Sequence, residues 1–334
     1  MLKKLTALLL AGLTAAAVTG CGGTQPQNTG DSGTPKQAVR LVLDWTPNTN
    51  HTGFYAAQAL GYYEEAGLDV EIMLPPEGSA PVMVASGGAD FGINAQDTLA
   101  PAFLGEDALP ITAVAALLQH NTSGILSLKE NGMETPKSLE GKTYATWDNP
   151  VEQAIIRSVM ETDGGDFSKL TMIPSTVTDV VTALQTDVDA VWIFYAWDGI
   201  AAQLKGLETN FIDFAKLDSR FDYYTPVLFA NNSFLEQNPD TAKAFLKATA
   251  KGYEYAIEHP QEAAKILLEA SPELDPELVL ASQEWISAQY KADTEQWGYI
   301  DPVRWNGFYT WLSENHLVDG ELPEGTGFTN AYLE

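Results

Sequence analysis

Two short strings in this chain have residue types and spacing that could do chemistry. Tyr195-Ala196-Trp197-Asp198 places two aromatic rings and a carboxylate within four residues. Such rings stack on flat heterocycles, and a carboxylate accepts from an exocyclic amine or pairs with a protonated ring nitrogen. Trp45-Thr46-Pro47-Asn48-Thr49-Asn50-His51 surrounds one indole with donors and acceptors on short arms. Each string has a plainer reading. Tyr195 and Trp197 suit a core, with Asp198 capping a helix over 199–205, and the first string suits a surface loop around one buried Trp. Three smaller polar sites join them: Asn94, Gln96 and Asp97, Ser123 within Gln119–Gly124, and Trp147. Asp97 sits where a helix starts, so it serves either a ligand near free N–H groups or the helix as a cap.

The elements that must position these residues are legible around the first string. Leu41, Val42 and Leu43 form an apolar run without helical period, which reads as a buried strand. Thr52 or Asn50 is expected to cap a helix from Gly53 to Leu60, stopped by Gly61. Leu68, Val70 and Ile72 then alternate with Asp69 and Glu71, the period of a strand. Strand, helix and strand in about 30 residues make a βαβ unit, and ligands of open α/β sheets bind beyond the carboxyl ends of strands. The first string lies at such an end. Phe91–Asn94, Ile111–Leu118, a strand after a turn within 139–147, and Val191–Phe194 are further strand candidates, each followed by one of the polar sites. Asp148 or Asn149 is placed to cap a helix with Pro150 at its first position. The aromatics Trp305, Phe308, Tyr309 and Trp311 read as packing in a final amphipathic helix.

The segment LDWTPNTNHTGFYAAQALGYYEEAGLDVEI, with SGGADFGIN after it, resembles the opening of bacterial ABC-transporter solute-binding proteins of the thiamine-pyrimidine-precursor type, a family that includes the fungal thiamine pyrimidine synthases. The likeness runs more weakly from about residue 38 to 320. It implies an α/β, two-lobed periplasmic-binding-protein fold (type II), each lobe a mixed, mostly parallel sheet flanked by helices and joined by a two-crossing hinge. Lobe one would comprise 38–127 plus 230–320, lobe two 128–229, with 321–334 a frayed tail. The resemblance favours the pocket reading of both strings. The implied ligand-binding set is Trp45, Asn48, His51, Asn94, Gln96, Asp97, Ser123, Trp147, Tyr195, Trp197 and Asp198. Relatives more often carry Glu near Asp198.

The N-terminus reads as a secretion signal. Lys3 and Lys4 precede an apolar run from Leu5 to Val18, too short for a confident membrane span. Val18-Thr19-Gly20-Cys21 resembles a lipobox, so residues 1–20 form the signal peptide and Cys21 becomes the lipidated first residue. Two acyl chains there would anchor the protein stably. Residues 21–37 are polar and small, a flexible tether. Processing moves the formal charge from −27 to −29 through loss of Lys3 and Lys4. So acidic a chain excludes nucleic acid as a partner, since nothing neutralises phosphates. Cys21 is the single Cys of 334 residues, which excludes intrachain disulfides and Cys-based metal clusters.

The chain carries no P-loop, HExxH or Gly-x-Ser-x-Gly string, and its four His residues are scattered. As the resemblance implies, the synthases use a lysine-bound pyridoxal phosphate where Asn94 stands, and an amide forms no Schiff base. The expectation is therefore a monomeric binder with no cofactor, metal or catalysis. It would be extracytoplasmic and lipid-anchored to the outer face of the bacterial cytoplasmic membrane, serving a permease and its ATPase. Within the class, riboflavin or another heterocycle is the alternative ligand, and a small anion such as a sulfonate is disfavoured because the candidate loops carry Asp and no Lys or Arg. A synthase-like enzyme or a sensor domain are the alternatives outside it.

Overall fold

The computed structural model describes residues 36–333 apart from 77, 78 and 176. The signal peptide, Cys21 and nearly all of the tether therefore lie outside the described residues. Among the described residues, ten strands form two five-stranded sheets. The first contains β1 (Gln37–Val42), β2 (Leu68–Met73), β3 (Phe91–Asn94), β4 (Ile111–Ala116) and β10 (Val227–Asn231), in the order β2-β1-β3-β10-β4. The second contains β5 (Ser123–Leu128), β6 (Thr143–Thr146), β7 (Thr171–Pro174), β8 (Ala190–Phe194) and β9 (Thr209–Asp213), in the order β7-β6-β8-β5-β9. Four strands of each sheet run in one direction. The reversed strands are β10 and β5, each antiparallel to both neighbours. This is the two-lobed, mixed and mostly parallel architecture expected from the sequence.

The reversed strands correct the lobe boundaries. The sequence reading places 123–127 in lobe one and 227–229 in lobe two, yet β5 pairs within the second sheet and β10 within the first. The crossings are 117–122 and the segment between β9 and β10, which contains a cis Thr225–Pro226 peptide. An apolar strand carries no local sign of the sheet it will join, because its membership depends on partners far away in sequence. The two crossings are tied together: Leu117 N donates to Pro226 O at 3.1 Å, and Asn121 Nδ2 to Phe221 O at 2.8 Å.

The βαβ opening forms as expected, with β1 and β2 parallel in register from Gln37–Leu68 to Val42–Met73. Its cap differs. Asn48, rather than Asn50 or Thr52, caps a 3₁₀ turn Thr49–His51 that continues into the helix Thr52–Ala59. The C-terminal helices cover the first sheet. The helix Thr52–Ala59 packs on Pro239–Glu258 so closely that a Cβ on Gly53 would lie 2.2 Å from the Tyr253 ring, and one on Gly252 would lie 2.0 Å from Gly53 O. The final helix, Pro302–Glu314, buries Trp305, Phe308, Tyr309 and Trp311 in the core. Beyond Gly320 the chain is not frayed: Phe328 bridges Ala113 of β4, and Trp305 Nε1 donates to Thr326 O at 2.8 Å.

Candidate functional site

The carboxyl ends of β1, β3, β6 and β8 converge on one cleft between the sheets, and two chambers open there. The first, about 200 Å³, is walled by Asp44, Trp45, Asn48 and Asn50 from the β1 loop and by Phe194, Trp197 and Asp198 from the end of β8. The second, about 220 Å³, lies between Asp97 after β3 and Trp147, Glu152 and Trp192 of the second sheet. Phe194 and Thr225 line both. Among the described residues, no Lys, Arg or His lines either chamber.

The β1 loop is built to hold its wall residues still. Asn48 Oδ1 accepts from Asn50 N at 2.9 Å, and Asn48 N donates to His51 Nδ1 at 3.2 Å. Because Nδ1 accepts, the ring proton sits on Nε2, which donates to Asp44 Oδ1 at 2.8 Å. Tyr290 OH donates to Thr49 O at 2.5 Å, and Tyr253 OH to Asn50 O at 2.7 Å. Thr49 Oγ1 is 2.7 Å from Ser282 Oγ. Trp45 remains 56% exposed on this fixed frame, an indole face open to a ligand.

In the second sheet the anchor is Glu152, at the third position of the helix Pro150–Thr162, whose cap is Asn149. Its buried carboxylate accepts from Tyr144 OH at 2.5 Å, Thr146 Oγ1 at 2.9 Å and Trp147 N at 3.1 Å. It thereby sets the turn that holds Trp147 46% exposed. Burial and the facing Glu152 carboxylate push the Tyr144 phenol well above its ordinary range, so it remains a donor. At the end of β8, Tyr195–Gly199 forms a π-helical turn, a feature frequent at functional sites. The turn packs against the helix Pro276–Ile286 of the other sheet, with the Tyr195 and Trp285 ring centroids 5.2 Å apart.

Two carboxyls at the site are poorly supported by the fold. Burial pushes Asp198 up to about 6, with the Phe194 backbone offsetting only part. Burial likewise pushes Asp97 up to about 6 against partial relief from Thr98, and its Oδ1 has no hydrogen-bond partner among the described residues. Neither residue holds the N-cap position of its helix, which Ala95 and Gly199 occupy; Asp97 accepts from the Thr98 backbone in its helix's first turn, and Asp198 from the Phe194 backbone at the start of the π turn.

Six of the eleven residues expected from the sequence line the chambers: Trp45, Asn48, Asp97, Trp147, Trp197 and Asp198. The other five do not. His51 is fully buried behind Asp44 and positions it. Gln96 is fully buried, donating to Trp305 O at 2.9 Å and accepting from Tyr224 N at 3.0 Å. Asn94 Oδ1 accepts from Ala95 N at 2.8 Å, and Ser123 is fully buried at the start of β5. Tyr195 turns away from the chambers toward Phe211 and Trp285, its hydroxyl accepting from Gln203 at 2.6 Å. In each case a polar or aromatic side chain meets the fold's own groups instead. Asp44, Glu152, Trp192, Phe194, Tyr223 and Thr225 line the cleft without having been selected. Glu152 had a local signal, the capping box begun at Asn149; Tyr223 and Thr225 are supplied by the second crossing.

The family model described as "NMT1/THI5 like" matches residues 48–263. The chain belongs to that family. A formylaminopyrimidine-binding protein of Halalkalibacterium halodurans is 28% identical over 313 residues, covering 91% of this chain and 93% of that one. A 4-amino-5-hydroxymethyl-2-methylpyrimidine phosphate synthase of Legionella pneumophila is 29% identical over 72% of this chain and 75% of its own. The fold matches the alkanesulfonate-binding protein SsuA of Xanthomonas axonopodis, with a TM-score of 0.65 at 13% identity over 89% of this chain and 99% of that one. It also matches the nitrate-binding protein NrtA of Synechocystis, with a TM-score of 0.66 at 15% identity, over 89% and 84%. The NMT1/THI5-like chain thus shares its fold with anion binders while its cleft is walled by carboxylates and aromatic rings.

Proposed function

We propose that this protein is the extracytoplasmic solute-binding component of an ABC importer, and that it captures a flat, amine-bearing heterocycle in the cleft between its sheets. The solute is a thiamine pyrimidine precursor, formylaminopyrimidine or hydroxymethylpyrimidine. The observation that carries this reading is the wall chemistry. Asp44, Asp97, Asp198 and Glu152 line the chambers and, among the described residues, no Lys, Arg or His does, so a sulfonate or nitrate would meet repulsion, while amino and protonated ring nitrogens meet acceptors. The rings of Trp45 and Trp197 line the same chamber. Stacking of this kind contributes about 0.5–1.5 kcal/mol per ring pair beyond area burial.

Capture proceeds by closure of the lobes about the two crossings, a hinge motion that removes the heterocycle from water. The closed form docks on a permease energised by a separate ATPase, and acylation of Cys21 keeps the body at the outer face of the cytoplasmic membrane. The reading is that of a monomeric binder and not of an enzyme, since Asn94 offers no amine for a Schiff base and its side chain is engaged with Ala95 N. Calorimetric titration with the two pyrimidines, thiamine and riboflavin tests the proposal. One-to-one pyrimidine binding with Kd near 1 μM or tighter, about −8 kcal/mol, is expected, with loss in Trp197→Ala and Asp198→Asn. Tight riboflavin binding without pyrimidine binding would overturn the ligand, and affinity for sulfonates would overturn the chemical class.

A further inference from the structure

The two crossings carry a charged cluster that the cleft does not use. His120 stands on the first crossing and Asp222 on the second, with His120 Nδ1 2.7 Å from Asp222 Oδ2. On its other side His120 Nε2 lies 3.1 Å from Asp293 Oδ1, in the loop that follows the 3₁₀ turn Ser287–Gln289. Arg304 of the final helix reaches both crossings. Its guanidinium donates to Gln119 O, and its Nε is 3.4 Å from Asp222 Oδ2. Asn121 N completes the set, donating to Asp222 Oδ1 at 2.9 Å. The charged groups that face the imidazole from these elements are therefore Asp222, Asp293 and Arg304. Tyr224 of the second crossing, with Arg304 5.2 Å from its ring centre, is pushed up to about 12 by burial and stays neutral.

The geometry fixes the charge of the ring. A neutral imidazole has one N–H and one lone pair, whereas an imidazolium donates from both nitrogens, and an ionised carboxylate only accepts. Both nitrogens of His120 lie at hydrogen-bond distance from carboxylate oxygens, so both contacts are made only by the imidazolium. His51 is the contrast: its Nδ1 accepts from a backbone N–H, and a neutral ring satisfies both of its contacts. With His120 protonated the cluster holds two cations and two carboxylates. Loss of the proton turns a lone pair toward one carboxylate. Asp222 still has Asn121 and Arg304 as donors, so Asp293, 70% exposed, is the one to be released. The backbone that presents Asp293 is itself strained. Ala292, immediately before it, has φ 42°, a left-handed conformation that a residue with a Cβ keeps only where its surroundings impose it.

We propose that His120 is a proton-operated latch on the hinge. As an imidazolium it ties both crossings to lobe one through Asp222 and Asp293. It thereby holds the lobes in the present arrangement, in which Tyr195 and Trp285 meet across the cleft at 5.2 Å. As a neutral ring it lets Asp293 go, and the crossings gain the backbone freedom that opening of the lobes requires. The latch rests on the hinge closure proposed above and acts in the empty protein, whatever the solute. The contact with Asp222 raises the imidazole pKa above its ordinary 6.5. The latch is accordingly set below pH 6.5 and lost as pH rises through the folded value.

The test follows ligand-free protein from about pH 5.5 to 9 by two measurements: the NMR titration of His120 Cε1–H and the radius of gyration from small-angle X-ray scattering. The resonance is the one of four histidines that is missing in His120→Gln. Its midpoint is expected above 6.5 and should shift down in Asp293→Asn. The radius of gyration should increase with the same midpoint, and His120→Gln should hold the larger radius on both sides of it. His120→Gln keeps Asp97 and Asp198, whose titration near pH 6 is then common to both proteins. A midpoint at or below 6.5, a radius indifferent to pH in the unaltered protein, or an increase that survives in His120→Gln would overturn the latch. Contraction on adding formylaminopyrimidine, seen together with any of these results, would leave capture by closure standing. Protein that neither contracts with formylaminopyrimidine nor responds to pH would overturn closure as well.

Discussion

The two sheets have the same strand order, and they treat their carboxylates in the same way. After β1 of the first sheet stands Asp44, held by His51 at 2.8 Å. After β6, the equivalent strand of the second, Glu152 accepts from a phenol, a hydroxyl and a backbone amide. After β3 and its equivalent β8 stand Asp97 and Asp198, which burial pushes up to about 6. Each lobe thus presents one carboxylate satisfied by the fold and one that the fold leaves short of donors. The satisfied pair fixes loop geometry. The other pair costs stability while ionised, a cost that a ligand's donors would offset under the proposed function. The sheets differ in what holds them: the β1 loop is pinned by Tyr253, Ser282 and Tyr290 from C-terminal helices, whereas the second-sheet site is fixed from within by Glu152 and a π turn.

The contrast is broken most severely at the satisfied positions. Glu152→Ala leaves the Tyr144 hydroxyl, the Thr146 hydroxyl and the Trp147 amide without their acceptor, and should cost about 3 kcal/mol in chemical denaturation, since each stranded buried group costs roughly 1–3 kcal/mol. Gly53→Ala should be comparable, at about 1–3 kcal/mol or more, because its Cβ meets the Tyr253 ring. Neither loss should depend on ligand.

At the unsatisfied positions the signs should divide. Asp198→Asn should weaken pyrimidine binding by about tenfold or more, roughly 1.4 kcal/mol, while making the empty protein more stable at pH 7.5. Asp97→Asn should also stabilise the empty protein, by on the order of 1 kcal/mol. The sign follows from linkage. A carboxyl whose folded pKa is raised from 3.8 to about 6 binds protons more readily when folded. Its penalty is absent below about pH 4, grows through pH 4–6 and is complete above that. The stability gain of the Asn variants should therefore vanish in melts at pH 4, and destabilisation at pH 7.5 would show that both carboxylates are supported by the fold after all. Ligand affinity should fall below about pH 6 as the acceptors protonate.

The smallest effect is expected at the crossings. His120 lies 2.7 Å from Asp222 and 3.1 Å from Asp293, with Arg304 facing the same cluster through Asp222 at 3.4 Å. The hydrogen bond that His120 donates to Asp222 raises the imidazole pKa, against burial and Arg304. Its contribution is fully present below the unfolded pKa near 6.5 and is lost as pH rises through the folded value. His120→Gln should remove up to about 1 kcal/mol at pH 6 and little at pH 9, read from paired denaturation curves.

The amino-acid sequence by itself determined the βαβ opening, the strands with polar strings at their carboxyl ends, the Asn149–Pro150 helix start and the acidic, aromatic character of the cleft. These depend on local signals: hydrophobic period, caps and residue type. It also singled out the residues that became the walls, Trp45, Trp147, Trp197 and Asp198. Only the tertiary structure decided which polar residues face the cleft and which support it. His51, Gln96 and Ser123 have the same chemistry as ligand contacts, and they are buried against groups that folding brings to them. It also decided the lobe membership of β5 and β10 and the pinning of Thr49 by Tyr290, 241 residues away. The physical reason is common to all three: a hydrogen bond or ladder between distant segments leaves no period in the chain, because its partner is chosen by packing and not by spacing.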